Sequence, residues 1–250
     1  MKRMFNVLIR PVLRRLGYDL VRYRDSGFPS DFDEMDKRIC NAVRNYTLTS
    51  PERVNALIEA TKYVIREKIE GAFVECGVWK GGSAMVMALT LKEIGEPREI
   101  YLYDTFSGMP SPSEADGDKA KQFFIKYRVS EDSSRWLFSP LEEVENNISK
   151  TGYPTEKIHF IKGKVEDTIP KHIPQKIALL RLDTDFYVSI KHELTHLFPL
   201  LSAKGVIIFD DYGGWQGARK AVDEYILENN LCMFLHRIDD QGRIAIKMPD

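Results

Sequence analysis

The sequence predicts an α/β protein built on a mostly parallel sheet with helices on both faces. Two patterns carry that reading. From residue 50 onward, short β-branched or apolar runs alternate with longer amphipathic ones, the signature of strands joined by helical crossovers. The chain then closes on two strand-like runs, 232–238 and 243–248, joined by Asp239-Asp240-Gln241-Gly242, a polar turn that reads as a hairpin.

The elements follow in order. Ser50-Pro51-Glu52-Arg53 opens a helix, with Ser50 as N-cap and Pro51 in the first turn, where its missing N–H costs nothing. Residues 72–76, AFVEC, form a buried strand. A helix over 83–94 is closed by Gly95, which tolerates the left-handed backbone of a helix end. Further strands fall at 99–103, 157–161, 177–182 and 205–209, with helices at about 188–201 and 216–228. The alternation breaks between Asp104 and about Pro140, in a polar run that carries Phe123, Phe124, Tyr127, Trp136 and Phe138. A break of that length reads as a partly helical lid, inserted over about 106–140.

Composition narrows the function. The 250 residues are 43% hydrophobic and carry 36 Lys plus Arg against 37 Asp plus Glu, which excludes a disordered chain and a generally basic nucleic-acid binder. Cys40, Cys76 and Cys232 form neither a CxxC pair nor an even set, so a reducing compartment is expected. No run is long and apolar enough to span a bilayer, and the N-terminal stretch lacks an unbroken signal core. The expected location is therefore the cytoplasm. The balanced charge hides a division. Through Arg24 there are seven basic residues and one acid, whereas the remainder has 29 basic and 36 acidic side chains. Residues 1–45 read as a basic helical arm, either a solvated helix packed on the body, the favoured reading, or one that contacts an anionic membrane surface or another subunit, and 46–250 as the body.

In an open parallel sheet, ligands bind beyond the carboxyl ends of the strands. The first strand runs into Glu75-Cys76-Gly77-Val78-Trp79-Lys80-Gly81-Gly82-Ser83, a glycine-rich turn before a helix that lets backbone approach a nucleotide-like ligand. It is neither the dinucleotide fingerprint nor a Walker loop, because Ser83 stands where the phosphate-gripping lysine belongs. Glu75 at its mouth favours a positively charged ligand. Asp104 ends the next strand, placed to accept hydrogen bonds from ribose hydroxyls. Together these indicate a cationic nucleoside such as S-adenosylmethionine. Four acids follow: Asp183 and Asp185 after the fourth strand, Asp210 and Asp211 after the fifth. Residues i and i+2 share a strand face, and on neighbouring strands all four would gather at one sheet end. Carboxylates that close need a cation, and oxygen-only ligands suit Mg²⁺ or Ca²⁺. A competing string, His192-Glu193-Leu194-Thr195-His196, matches HExxH. It lies within a crossover helix and lacks a clear third ligand, so a zinc protease is the weaker reading.

At these residues the chain resembles the macrocin O-methyltransferase (TylF-type) family. The matching stretches are TSPERVNALIEA, FVECGVWKGGS, YLYDTFSGMP, GKVEDTIP, LLRLDTDFY and VIIFDDYGGWQGARKAVDEY, spanning about residues 46–228. The resemblance implies a Rossmann-like class I methyltransferase sheet and an S-adenosylmethionine- and Mg²⁺-dependent enzyme that methylates a sugar hydroxyl of a glycosylated natural product. It implies that Glu75, Gly77, Gly81, Ser83, Asp104 and Ser107 border the cofactor. Asp183, Asp210 and Asp211 match the family's metal ligands, and Asp185 its proposed base. A homo-oligomer is also implied. The alternatives are a metal-dependent methyltransferase for a catechol-like or other small vicinal-diol acceptor, and a non-catalytic cofactor-binding scaffold.

Overall fold

The computed structural model describes Arg15 and residues 27–249. Of the arm expected over 1–45, Arg15 and residues 27–45 are described, the latter including the helix Glu34–Val43; the rest of the basic stretch through Arg24 lies outside the described residues. What is described falls into two units, one ending at Asp33 and one beginning at Glu34. In the first, the rings of Phe28 and Phe32 stack at 5.8 Å. The second contains every element below.

Helix α1 (Glu34–Val43) and helix α2 (Pro51–Arg66) precede the sheet. Ser50 caps α2 as its sequence predicts, its hydroxyl accepting from Arg53 N–H at 3.1 Å. Strand β1 (Ala72–Cys76) leads through the glycine turn to α3 (Gly82–Ile94), which Gly95 ends with φ +82°. Strand β2 (Ile100–Asp104) opens the insertion, which contains a short 3₁₀ turn (Glu114–Asp116) and α4 (Gly117–Tyr127) and is thus partly helical. Helix α5 (Leu141–Ser149) returns the chain to β3 (Ile158–Lys162). One turn, α6 (Val165–Thr168), leads to β4 (Ile177–Leu182), α7 (Tyr187–Leu197) and β5 (Leu201–Phe209). Helix α8 (Gln216–Glu228) and the hairpin β6 (His236–Arg237) and β7 (Arg243–Ile246) finish the unit. The hairpin strands are shorter than their sequence runs.

The sheet order is β3-β2-β1-β4-β5-β7-β6. Strands β1 to β5 are parallel and only the terminal hairpin is antiparallel, so the expected architecture is the observed one. The order reverses between β1 and β4, and both are buried along their whole length. Alternation along the strands divides the core. Val74, Cys76, Leu180, Leu182, Ile207 and Phe209 pack under α7 and α8, and residues of opposite parity, including Glu75 and Arg181, belong to the other face. Helices α1, α2, α3 and α5 associate with one another, and α2 also meets β4 and β5. No described helix is long and apolar enough to cross a membrane.

Candidate active site

The carboxyl ends of β1, β2, β4 and β5 open into a cavity of about 300 Å³. Glu75, Gly77, Ser83, Asp104, Asp183, Asp185, Asp210 and Asp211 all line it. Two other residues expected at the cofactor do not. Gly81 caps α3 with φ +87° and turns toward Val144 and Ile148. Ser107 is exposed, its N–H donating to Thr105 Oγ1 at 3.2 Å.

Strand register builds the acidic end. β4 and β5 are neighbours, which meets the condition for gathering the four acids. The ladder continues past the strands: Asp183 N–H donates to Cys76 O at 2.8 Å, and Asp210 N–H to Leu182 O at 3.0 Å. Carboxylate oxygens of Asp183, Asp210 and Asp211 converge to within 4.8 Å of one another. Asp185 joins them from a left-handed backbone, φ +62°, an uncommon conformation outside glycine that concentrates at functional sites. Trp79 and Leu137, with φ +46° and +52°, line the same cavity.

Two arginines partly balance these charges. Register pairs Glu75 with Arg181, whose guanidinium is 3% exposed. Its Nη1 bonds Glu75 Oε1 at 2.6 Å and Asp183 Oδ2 at 2.8 Å. Its Nη2 lies 2.8 Å from Asp210 Oδ1 as an ion pair, out of line for a hydrogen bond, so that oxygen has no hydrogen-bond donor. Arg53 Nη1 pairs with Asp210 Oδ2, and Arg53 Nε with Asp239 Oδ2 at 2.9 Å. Asp239 is itself fixed by the Ser50 hydroxyl at 2.7 Å and by the N–H groups of Gln241 and Gly242. The hairpin turn thus holds α2 against the acids. Five carboxylates, those of Glu75, Asp183, Asp185, Asp210 and Asp211, face two guanidinium groups.

Protonation follows from that surplus. Burial pushes Glu75 up to about 7 despite Arg181. Burial and the neighbouring Asp183 carry Asp185 to about 8. Asp183 and Asp211 rise well above the carboxylate range, chiefly through burial. Asp211 Oδ2 and Glu75 Oε2 are buried without a hydrogen-bond partner. An all-oxygen set with surplus charge and an orphaned buried oxygen fits a hard divalent cation.

Asp104 is more engaged than its sequence position implies. Oδ2 accepts the N–H groups of Val78 (2.7 Å) and Trp79 (3.1 Å), and Oδ1 that of Phe106 (2.7 Å). The Thr105 hydroxyl also lies 3.4 Å from Oδ1, so these donors take up most of the roughly four acceptor sites of the carboxylate.

The insertion is tied down at this end. Asp116 Oδ2 accepts the Ser113 N–H and hydroxyl, both at 2.7 Å. Its Oδ1 accepts Tyr187 N–H at 2.6 Å, at the start of α7. Trp136 of the lid stacks on Phe123 at 5.0 Å and meets Trp215 edge-on at 5.3 Å. Lys164 pairs with Asp132, which also accepts the Ser111 hydroxyl.

The HExxH string holds no metal geometry. His192 Nε2 is 3.0 Å from Ile169 O. Glu193 is fully buried, accepting from the Thr184 hydroxyl at 2.9 Å. Among the described residues, the group suited to a metal is Asp183, Asp210 and Asp211.

Residues 30–245 match the family model described as macrocin-O-methyltransferase (TylF). The chain belongs to the macrocin-O-methyltransferase (TylF) family. It is therefore an O-methyltransferase, with S-adenosylmethionine as methyl donor. One relative in Streptomyces olivaceus, 8-demethyl-8-(2,3-dimethoxy-alpha-L-rhamnosyl)-tetracenomycin-C 4'-O-methyltransferase, is 33% identical over 198 residues, 79% of this chain and 74% of its own. Demethyldecarbamoylnovobiocin O-methyltransferase of Streptomyces niveus is 29% identical over 230 residues, 88% of this chain and 86% of its own. The solved structure of the O-methyltransferase NovP matches with a TM-score of 0.73 at 29% identity, covering 82% of this chain and 83% of that one.

Arg53, Arg181, Asp239 and Asp116 escaped the sequence reading as site residues. Arg181 carried a usable signal: a lone cation in an apolar strand, two residues before Asp183 and so on its face. The others are joined to the site only by tertiary contacts.

Proposed function

We propose that this TylF-family enzyme methylates a sugar hydroxyl of a glycosylated natural product, with Asp183, Asp210 and Asp211 holding Mg²⁺ and Asp185 as the base. The convergence of three carboxylates from two strand ends within 4.8 Å carries the reading. The sugar is favoured over a catechol-like acceptor by the rhamnosyl group in the name of the Streptomyces olivaceus relative.

Methyl transfer from a sulfonium is an in-line displacement, so positioning supplies much of the rate. Bound Mg²⁺ would lower the pKa of an acceptor hydroxyl and fix its orientation. Asp183, Asp210 and Asp211 supply the oxygens that would hold it. Arg53 and Arg181 keep the Asp210 carboxylate in place from opposite oxygens. Asp185 accepts the hydroxyl proton as the C–O bond forms and the S–CH₃ bond breaks. A divalent cation and a sulfonium together would offset the carboxylate charge that the two arginines leave unbalanced. Glu75, Gly77, Ser83 and Asp104 border the cofactor, while Gly81 and Ser107 shape the turns that carry them. The lid excludes water. The active form is a homo-oligomer, which light scattering tests.

Asp210→Asn with and without EDTA tests the metal. Turnover of a rhamnosylated acceptor should fall at least about a hundredfold in both cases, since Lewis-acid activation contributes several kcal/mol. Calorimetric Mn²⁺ binding should disappear in the variant. Full turnover in EDTA, or faster methylation of a catechol than of the glycoside, would reject the assignment.

A further inference from the structure

All three tryptophans of the chain, Trp79, Trp136 and Trp215, line the cavity that contains the acids. Trp79 belongs to the glycine turn, where its N–H donates to Asp104. The other two form a separate corner. Trp215 follows Asp211 by four residues, and its N–H donates to Asp211 O at 2.9 Å, so this indole is held close to the acidic cluster by backbone. Trp136 reaches the same corner from the lid, meeting Trp215 at 5.3 Å. Phe123 braces both rings, stacked on Trp136 and edge-on to Trp215 at 6.0 Å. The Lys119 ammonium sits 4.3 Å from the Trp215 ring and donates to Gly214 O at 3.2 Å.

We propose that Trp136 and Trp215 form the subsite for the acceptor's sugar ring, whose apolar C–H face packs on the indoles while its hydroxyls reach the acids. The inference rests on the sugar O-methyltransferase reading above and gives it a location. Both indoles are only partly covered, and the uncovered part of each lines the cavity. An aromatic face carries partial negative charge and attracts the slightly positive C–H groups of a pyranose. Few rotors and a braced ring keep the ordering cost of such a contact low. One wall therefore offers apolar area and the adjoining one charge, the combination that fixes an amphipathic ring in a single orientation.

The test uses the full chain with S-adenosylhomocysteine and Mg²⁺, titrated with methyl α-L-rhamnopyranoside and followed by tryptophan emission and saturation-transfer NMR. Trp136→Ala and Trp215→Ala should each weaken glycoside binding about three- to tenfold, as expected for one lost aromatic contact. Trp136→Phe should restore most of it, and S-adenosylhomocysteine affinity should change less than twofold throughout. Unchanged glycoside affinity in both alanine variants would overturn the subsite and leave the sugar reading standing. Absence of glycoside binding to the unaltered chain, with cofactor binding intact, would overturn both. Parallel loss of cofactor affinity would mark the tryptophans as structural and also overturn the proposal.

Discussion

The backbone of Gly77 closes on the carbonyl of Asp183, so that a β-carbon at position 77 would lie 2.0 Å from that oxygen. Gly77 also has φ +84°, a conformation that costs other residues roughly 1–2 kcal/mol. The turn proposed to meet the cofactor and the first of the converging acids are thus packed backbone against backbone.

Gly77→Ala should therefore injure both functions at once. The loss of stability should be about 2–4 kcal/mol, strain and overpacking combined. Calorimetry should find S-adenosylhomocysteine and Mn²⁺ affinities reduced together. A variant that loses only one of them would separate the two halves of the site.

Arg181 is the buried counter-ion of Glu75, Asp183 and Asp210. Removing one partner of a buried pair leaves uncompensated charge, at a cost of about 3–5 kcal/mol. Arg181→Met should lose about that much in urea denaturation. Arg181→Lys should recover only part of it, because one ammonium cannot reproduce the fork that spans three carboxylates.

The acids make stability depend on pH. Glu75 and Asp185 hold protons more tightly in the folded chain than in the unfolded one. The stability this supplies is complete below the ordinary carboxylate range. It is lost as pH rises through about 7 for Glu75 and about 8 for Asp185. Thermal melts of the metal-free chain should fall as pH rises across that window. A divalent cation competes with those protons, so Mg²⁺ should raise Tm more at about pH 9 than at about pH 6. At a hundredfold excess over Kd the gain is about 2.7 kcal/mol, or roughly 5–10 °C for a chain of this size. An equal shift at both pH values would contradict the coupling.

His192 and His196 should be dispensable for catalysis. The contact of His192 with Ile169 O is worth about 1 kcal/mol at most. A His192→Ala/His196→Ala double variant should keep methyl transfer within about threefold and show no change in bound zinc by elemental analysis.

The fold and the acidic end of the site were legible for one reason: both rest on local periodicity. Strand boundaries at 72–76 and 177–182 and the helix at 216–228 agree with the structure, because apolar runs bounded by glycine or acids leave little ambiguity. The four aspartates could be gathered because strand-end position alone decides where they go. Arg53 and Asp239 could not be placed that way, being 186 residues apart and joined only when the hairpin docks on α2. Helix α5 was missed between the lid and β3. Its apolar contacts, Val144 and Ile148, are too few in nine residues to stand out from the polar run before them.

Gly217 bears on the lid. A β-carbon there would lie 1.8 Å from Asp116 Oδ1 and 3.0 Å from Tyr187 N, within the bond that fixes the insertion to α7. Gly217→Ala should lower Tm by several degrees, the effect of about 1–3 kcal/mol of overpacking. Asp116→Ala should relieve the clash in the double variant without restoring activity, because the anchor is then gone. Stability and turnover measured on the three variants would show this.

That anchor also sets where the molecule can be cut and rejoined. The insertion meets the rest of the chain through Asp116 at the starts of α7 and α8, through Lys164 and Asp132, and through Phe123, Trp136 and Lys119 at Gly214 and Trp215. An exchange of acceptor-facing segments between relatives would therefore succeed as a cassette only if those junctions travel with it. A splice that brings in a foreign loop but breaks the aspartate–glycine fit would yield a folded core with an unmoored cover. The boundary of the interchangeable part is drawn by one carboxylate and the missing side chain opposite it.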